Sequence, residues 1–191
     1  YAVCAIFAPW IAPYSESEIV GKQYLDPSAQ FWFGTDQIGR DMFSRVIYGA
    51  RNTIGIALIT TMLSFSVGGT LGVLTALVRG WLDQGVSRLV DAFLAIPVLI
   101  FALMLLAVFG KVQFFMEYRW VLLVIILGLL DSTRVFRLAR ATALNVVVMD
   151  FVEAARLRGE GMGWIVFKEI IPNILPPLIT EFGLRFCFVF L

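Results

Sequence analysis

The chain has 191 residues, 60% of them hydrophobic, and its 15 basic side chains nearly balance 14 acidic ones. So many apolar residues, arranged in long uncharged runs, are typical of a polytopic membrane protein and exclude an ordinary soluble domain. The sequence has no histidine, which removes the commonest general base and metal ligand and, with them, most hydrolases and metalloenzymes.

The first 52 residues divide into an apolar segment and a charged one. Residues 1–13 are too short to span about 30 Å of hydrocarbon as a helix, so we interpret them as the tail of a truncated first span. Residues 14–52 carry nine charged side chains and three consecutive aromatic ones, as expected of an extracytoplasmic loop at a membrane surface. Asp36 and Asp41 lie in this loop, and we predict a solvated turn there rather than a catalytic carboxylate pair.

Three further apolar runs are predicted to cross the membrane. Residues 53–78 contain no charge. Gly68 and Gly72 form a G-x-x-x-G step in this run, which allows close helix–helix approach, although an ordinary glycine-tolerant membrane helix has the same pattern. Residues 92–110 form the next predicted span, with a kink at Pro97, and residues 120–130 begin a third that extends to about residue 138. Another run begins near Pro177 and is cut short.

The charges of the connecting segments predict the orientation. With four crossings, two of them truncated, segments 79–91 and 131–169 share one side and carry eight Lys and Arg residues, against six on the other. The densest basic cluster, residues 134–158, lies on the first of these sides. By the positive-inside rule, that side is predicted to be cytoplasmic.

The polar segment 150–177 contains a short predicted helix over residues 151–158. Asp150 is placed to cap its N-terminus, with Glu153 as the acid of a capping box. Gly159 suits the left-handed C′ position, and Arg156 and Arg158 lie in the last turn, near the negative end of the helix dipole. A two-turn helix is marginal by itself, so we expect this one to dock against another surface.

Motifs of several enzyme classes are absent from the sequence. No G-x-x-x-x-G-K-[ST] loop, nucleophile elbow or H-E-x-x-H occurs, so we expect neither ATP binding through a P-loop nor the corresponding hydrolase chemistry. Cys4 and Cys187 lie in apolar runs without paired spacing and are interpreted as small hydrophobic residues. A membrane-embedded enzyme would lack a convincing nucleophile or metal set.

Several segments together resemble one family of transporters. The EAA sequence at 153–155, followed by Gly159 and by Pro172, resembles the EAA loop of binding-protein-dependent ABC importer permeases. Residues 33–51, FGTDQIGRDMFSRVIYGAR, resemble the segment before the second span in the dipeptide, oligopeptide and nickel subgroup. Further matches at Asp91 with residues 94–97, and at residues 172–178, follow in the family's order. The resemblance therefore covers most of the chain, from about residue 33 to residue 178.

This resemblance implies an all-α, polytopic membrane protein fragment with the helical bundle of an ABC importer permease. Residues 53–191 would form the transmembrane domain, with a cytoplasmic coupling loop at about 140–172. The helix at 151–158 would sit in a groove of a separate ATP-binding subunit, through Glu153, Ala154, Ala155, Arg156 and Gly159. The two alanines would then offer the groove a flat surface of small side chains, with the charged residues at its rim.

The resemblance also implies a setting and a set of partners. The chain would lie in a bacterial or archaeal cytoplasmic (inner) membrane as a multi-pass protein. Its partners would be ATP-binding ABC subunits, a second permease subunit, an extracytoplasmic substrate-binding protein and the lipid bilayer, with no nucleic acid. No cofactor and no catalytic residue are expected on this chain, because ATP hydrolysis would belong to a partner. The cargo would be a dipeptide, an oligopeptide, nickel or a similar small solute.

The sequence departs from the family pattern at a few positions. Glu169 and Ile171 stand where the family commonly has a hydrophobic residue and leucine, and Glu181 and Arg185 place charges at the start of the last apolar run. These last two form either an internal ion pair that permits insertion or part of a translocation pathway. The alternative function is an ion-gradient-driven secondary transporter or channel, in which Asp131 or Glu181 would supply the mid-membrane acid.

Overall fold

The computed structural model describes residues 2–190, which are helical apart from loops and two isolated β-bridges. It therefore confirms the predicted all-α class. Ten α-helices lie in this range: α1 (Ala2–Ile6), α2 (Ala8–Ile11), α3 (Met42–Val78), α4 (Gly80–Ala95), α5 (Val98–Phe109), α6 (Gln113–Glu117), α7 (Arg119–Val147), α8 (Asp150–Leu157), α9 (Met162–Ile165) and α10 (Ile171–Phe190). A π-helical turn, Val166–Ile170, joins α9 to α10. The described chain divides into two compact units, residues 2–57 and 58–189.

Among the described residues, two helical segments are long and apolar enough to cross a membrane, Met42–Val78 and Met162–Val189. The pair α4 and α5 has the composition of a third span but bends by 92°. The bend predicted at Pro97 is therefore confirmed, and the assignment of residues 92–110 to a membrane span stays a prediction. Pro97 is the N-cap residue of α5, and the residue before a proline is driven out of the helical region, so α4 ends at Ala95.

The run predicted to span the membrane over residues 53–78 is confirmed as part of a longer apolar helix, whereas α7, which holds the predicted third span, is not among the described helices that are long and apolar enough to cross a membrane. Helix α3 begins at Met42, so the last eleven residues of the predicted loop are already helical. Helix α7 contains the whole predicted third span and continues to Val147, through a stretch that the sequence marks only as polar and basic. At the start of the chain, α1 and α2 are separate short helices broken at Phe7. The interpretation of residues 1–13 as the tail of a longer span stays a prediction.

The loop before α3 is ordered around Asp36 and Asp41, and the prediction of a solvated turn is wrong. The backbone N–H groups of Ile38 and Arg40 donate to Asp36 Oδ1, and the guanidinium groups of Arg40 and Arg45 donate to Asp36 Oδ2 at 2.9 and 2.7 Å. The backbone N–H of Arg40, with the other donors, holds the pKa of Asp36 well below its usual range.

Asp41 has a second structural role in this loop. Its Oδ2 accepts hydrogen bonds from the backbone N–H and the hydroxyl of Ser44, at 2.8 and 2.7 Å. Because Ser44 is the third residue of α3, Asp41 caps the N-terminus of this helix. Both carboxylates are buried and serve the fold, since each satisfies backbone donors that the loop or the helix end would otherwise leave unpaired.

Helices α3 and α7 approach closely at two glycines, as the G-x-x-x-G step predicts. A Cβ at Gly68 would lie 2.3 Å from the carbonyl oxygen of Ser132, and one at Gly72 would lie 2.8 Å from the Cβ of Ala139. A Cβ at Gly128 of α7 would likewise lie 2.7 Å from the side chain of Leu63. Gly69, adjacent in sequence, has open space where its Cβ would be. Only one face of α3 therefore requires glycine.

Two ion pairs join α4 to α7. Arg140 forms a two-pronged contact with Asp83, at 2.5 and 2.6 Å, and Arg137 contacts Asp91 at 2.5 Å. Asp83 is buried in this contact. A planar guanidinium matches a carboxylate through two parallel hydrogen bonds. The largely buried Arg140–Asp83 pair therefore sets the register of α4 on α7, whereas the Arg137–Asp91 pair is more than half exposed and contributes little.

Substitution of Gly68 by alanine should destabilise the protein, whereas Gly69→Ala should not. The added Cβ at residue 68 collides with the backbone of α7, for which overpacking costs are about 1–3 kcal/mol, and the gain in helix propensity offsets at most about 1 kcal/mol. Thermal unfolding of both variants of the purified protein checks this difference. Equal melting temperatures for the two variants would contradict the close approach of α3 and α7.

Candidate functional site

Helix α8 is the short helix that the sequence predicts, displaced by one residue. It spans Asp150–Leu157, and Met149 is its N-cap residue, with no side-chain cap hydrogen bond. The prediction of a capping box between Asp150 and Glu153 is therefore wrong. Both acids instead lie in the first turn, where a negative charge is favoured by the positive end of the helix dipole.

The C-terminus of α8 is capped at Gly159, as predicted. Gly159 has a φ of +82°, in the left-handed region. Its N–H donates to the carbonyl oxygen of Arg156 at 3.0 Å, and the N–H of Glu160 donates to that of Ala155 at 3.2 Å. These two bonds form a Schellman motif, which satisfies the last carbonyl groups of the helix. The chain therefore reverses direction sharply and leads back toward α10.

One face of α8 belongs to a hydrophobic core shared with three longer helical segments. Val152 and Ala155 are both 0% exposed. They contact a buried cluster drawn from the ends of α3 and α7 and from the start of the last helical segment: Val73, Ala76, Ala143, Val147, Ile165, Ile170 and Ile174. Burying apolar surface in this cluster stabilises a helix that is too short to persist by itself. The surface against which α8 was expected to dock is thus, in part, its own chain.

The opposite face of α8 is exposed and partly apolar. Leu157 is 83% exposed, and Ala154 and Phe151 are exposed beside it. Val148 and Met149, immediately before the helix, add further exposed apolar surface. The expectation that both alanines offer a flat surface to a partner is therefore wrong for Ala155, which is buried. Ala154 is exposed, because successive residues of a helix are about 100° apart around its axis, and for this residue the expectation stays a prediction.

The predicted rim residues Glu153 and Arg156 both line a cleft beside α8. This cleft has a volume of about 420 Å³ and is also lined by Arg79, Val147, Val148 and Leu157. It thus combines two cations and one carboxylate with apolar walls. Such a mixture suits the side chains of a protein partner, since protein interfaces combine an apolar centre with a charged rim.

The unusual residue Glu169 has a partner at the end of α8. Its carboxylate lies 4.0 Å from the guanidinium of Arg158, and the same guanidinium lies over the ring of Trp164 at 5.9 Å. Arg158 therefore connects the end of α8 to the segment that follows it. A hydrophobic residue at position 169 would leave this arginine without the carboxylate.

The structure brings Glu181 and Arg185 together and adds a third charge that the sequence does not reveal. The guanidinium of Arg185 donates from Nε to Glu181 Oε1 at 2.6 Å, and its Nη1 lies 3.5 Å from Asp131 Oδ1 of α7. The spacing of four residues predicts the first contact. The second joins residues 54 positions apart, for which a single sequence carries no signal.

Known proteins resemble this chain in sequence. A family model described as the binding-protein-dependent transport system inner membrane component matches residues 68–191. The di/tripeptide transport system permease protein DppC of Pseudomonas aeruginosa is 34% identical over 190 residues, which are 96% of this chain and 60% of that protein. The glutathione transport system permease protein GsiD of Escherichia coli is 33% identical over 186 residues, 96% of this chain and 59% of that protein. The chain thus spans about 60% of the length of these relatives.

Two neighbouring alanines provide a test of how α8 is seated. Ala155→Leu should destabilise the protein by about 1–3 kcal/mol, because the larger side chain has no room in the shared core. Ala154→Leu should leave the melting temperature nearly unchanged, because this side chain is exposed and leucine is a good helix former. Thermal unfolding of the two purified variants measures the difference. If Ala154→Leu were the more damaging change, Ala154 rather than Ala155 would have to face the core.

Proposed function

This chain belongs to the family of binding-protein-dependent transport system inner membrane components, and from that premise we propose that it is a permease subunit of an ATP-driven importer of small peptides. The names of its relatives support the cargo, since they refer to transport of di/tripeptides and of glutathione. Among the cargoes that the sequence leaves open, peptides are therefore favoured over nickel.

The two-sided seating of α8 is the observation that carries this proposal. Val152 and Ala155 anchor the helix in the core of its own chain, while Leu157 and Ala154 remain uncovered on the other side. An exposed apolar side chain on a helix that is held in place can enter a groove of another protein, as the apolar face of an amphipathic helix does. We therefore assign this exposed face of α8, rather than the EAA sequence as a whole, to contact with an ATP-binding subunit.

Coupling then follows from the core that α8 shares with the longer helices. ATP-driven closure of two ATP-binding subunits would displace α8 with the surfaces in which it sits. Because Val152 and Ala155 interlock with the ends of α3, α7 and α10, and close-packed cores transmit displacement instead of deforming gradually, these ends would move together with α8. The predicted coupling residues thus have separate roles. Glu153, Ala154 and Arg156 face the partner. Ala155 transmits the partner's movement to the shared core, and Gly159 ends the helix.

The proposal includes the setting in which the chain works. It is a multi-pass protein of a bacterial or archaeal cytoplasmic (inner) membrane, and it assembles with two ATP-binding subunits, a second permease subunit and an extracytoplasmic substrate-binding protein. ATP hydrolysis takes place on the partners. The ordered loop around Asp36 faces the binding protein or the adjacent membrane surface. An ion-gradient-driven carrier has no need of the exposed face of α8, so this alternative is not favoured.

A disulfide crosslink tests whether the exposed face of α8 contacts an ATP-binding subunit. Leu157→Cys, in a background with serine at positions 4 and 187, is co-expressed with the ATP-binding subunits, which carry cysteines along their predicted groove. We expect a crosslink whose yield changes when ATP is added, because closure alters the seating of α8.

Ala155→Cys in the same background is the matched control. Ala155 lies next to Ala154 and two residues before Leu157, but unlike them it is buried, so Ala155→Cys should give no crosslink. A crosslink from residue 155 and none from residue 157 would contradict the assigned face. Peptide uptake that follows a proton or sodium gradient, with no crosslink from either residue, would contradict the proposed function.

A further inference from the structure

A small cavity with two opposite charges lies between α5, α7 and α10. Its volume is about 210 Å³, and it is lined by Val98, Leu127, Leu130, Asp131, Arg134, Phe188 and Val189. Five of these side chains are apolar, and the two charged ones come from one turn of α7. Opposite charges at the edge of an apolar cavity can hold a solute that carries both charges.

Asp131 has capacity to accept further hydrogen bonds at this site. Its Oδ1 has one long contact, 3.5 Å from Arg185 Nη1, and its Oδ2 is buried without a hydrogen-bond partner. Arg185 makes its shorter contact, 2.6 Å, with Glu181. The hydroxyl of Ser64 lies close enough to act on Asp131 but donates to the carbonyl oxygens of Thr60 and Gly128. A cationic donor at the cavity would therefore find an incompletely satisfied carboxylate.

Arg134 has no carboxylate partner among the residues that the structure describes. Its neighbours along α7 are different, since Arg137 is paired with Asp91 and Arg140 with Asp83. Of these three arginines, the one at the cavity is the one without a direct ion pair among the described residues, and its charge acts on Asp131 from a longer distance. Arginine binds a carboxylate through two parallel hydrogen bonds, which makes it suited to the carboxylate of a ligand.

From these contacts we infer that the cavity binds the two charged ends of a dipeptide, with Asp131 accepting from its ammonium group and Arg134 donating to its carboxylate. This inference rests on the proposed function, because it takes peptides as the cargo. Residues three apart on a helix have Cβ atoms about 5–6 Å apart, and a two-residue peptide spans at most about 7 Å. The apolar lining receives the side chains of the peptide. The cavity is smaller than the usual range of about 300–1,000 Å³, which disfavours longer peptides.

The binding is measured by protection of a cysteine in the cavity. Leu127→Cys, with serine at positions 4 and 187, is introduced into the protein assembled with its partner subunits in lipid nanodiscs, without the substrate-binding protein. The rate of modification by a small neutral thiol reagent is followed against the concentration of dialanine. The probes for comparison are C-amidated dialanine, N-acetylated dialanine and tetraalanine. We expect dialanine to slow the modification, and each of the other three to require at least about tenfold higher concentration.

Two variants assign the two ends of the peptide. Arg134→Gln should remove the preference for dialanine over its C-amide while the preference over the N-acetyl form persists. Asp131→Asn should remove the preference for dialanine over its N-acetyl form while the preference over the C-amide persists. Arg137→Gln is the matched control, because this residue lies one turn away, does not line the cavity and should change neither preference. Because Arg134 is exposed and has no direct ion pair among the described residues, its variant is expected to fold even if Asp131→Asn does not.

The inference is overturned if dialanine gives no protection at any concentration, or if Arg134→Gln weakens the free and amidated peptides equally. Uptake of peptides by the assembled transporter is measured separately. ATP-dependent uptake without protection would refute the dipeptide site and leave the proposed function intact. Protection without ATP-dependent uptake would support the site and contradict the ATP-driven importer.

Discussion

The burial of Val152 and Ala155 in a core shared by α3, α7 and α10 is the interaction on which this architecture depends. Helix α8 has eight residues, too few to be stable in isolation, so its position is defined by this core. The same burial leaves the other face of the helix uncovered. One structural requirement, the stabilisation of a short helix, thereby produces both a rigid link to the membrane helices and a surface available to a partner.

Ion pairs and close glycine contacts hold the rest of the second unit around α7. Arg140, with a smaller contribution from Arg137, fixes α4 on one side of α7, and Gly68 and Gly72 bring α3 against another. The arginine nearest the cavity, Arg134, is left without a direct ion pair among the described residues. A single helix therefore carries structural charges along one part of its length and a charge suited to a ligand one turn away.

Local features of the sequence predicted local features of the structure. Gly159, the G-x-x-x-G step and the four-residue spacing of Glu181 and Arg185 each act within or between a few turns, and the contacts that they indicate are present. The pattern left two alternatives open for the glycine step, which the folded chain decides in favour of close approach, whereas the role of the ion pair stays a prediction. Features that depend on contacts with distant residues were not predicted correctly. Two adjacent alanines have the same propensity, and only the packing of α8 decides that Ala155 is buried and Ala154 is not. The contact of Asp131 with Arg185, and the donors gathered around Asp36, likewise depend on the folded backbone. The bend before Pro97 shows a further limit, since a proline indicates where a helix is interrupted but the 92° angle between the two helices is a property of the folded chain.

A distance measurement within this chain tests most directly whether α8 and the helix ends move together. Spin labels at Leu157 and at Asn173, both exposed, would report the separation of α8 and α10 in the assembled transporter, with and without trapped ATP. Labels on the two ATP-binding subunits would establish that closure has occurred. The account predicts that the separation within the chain stays the same while the ATP-binding subunits close. A change in the separation of residues 157 and 173 on closure would contradict rigid coupling through the shared core.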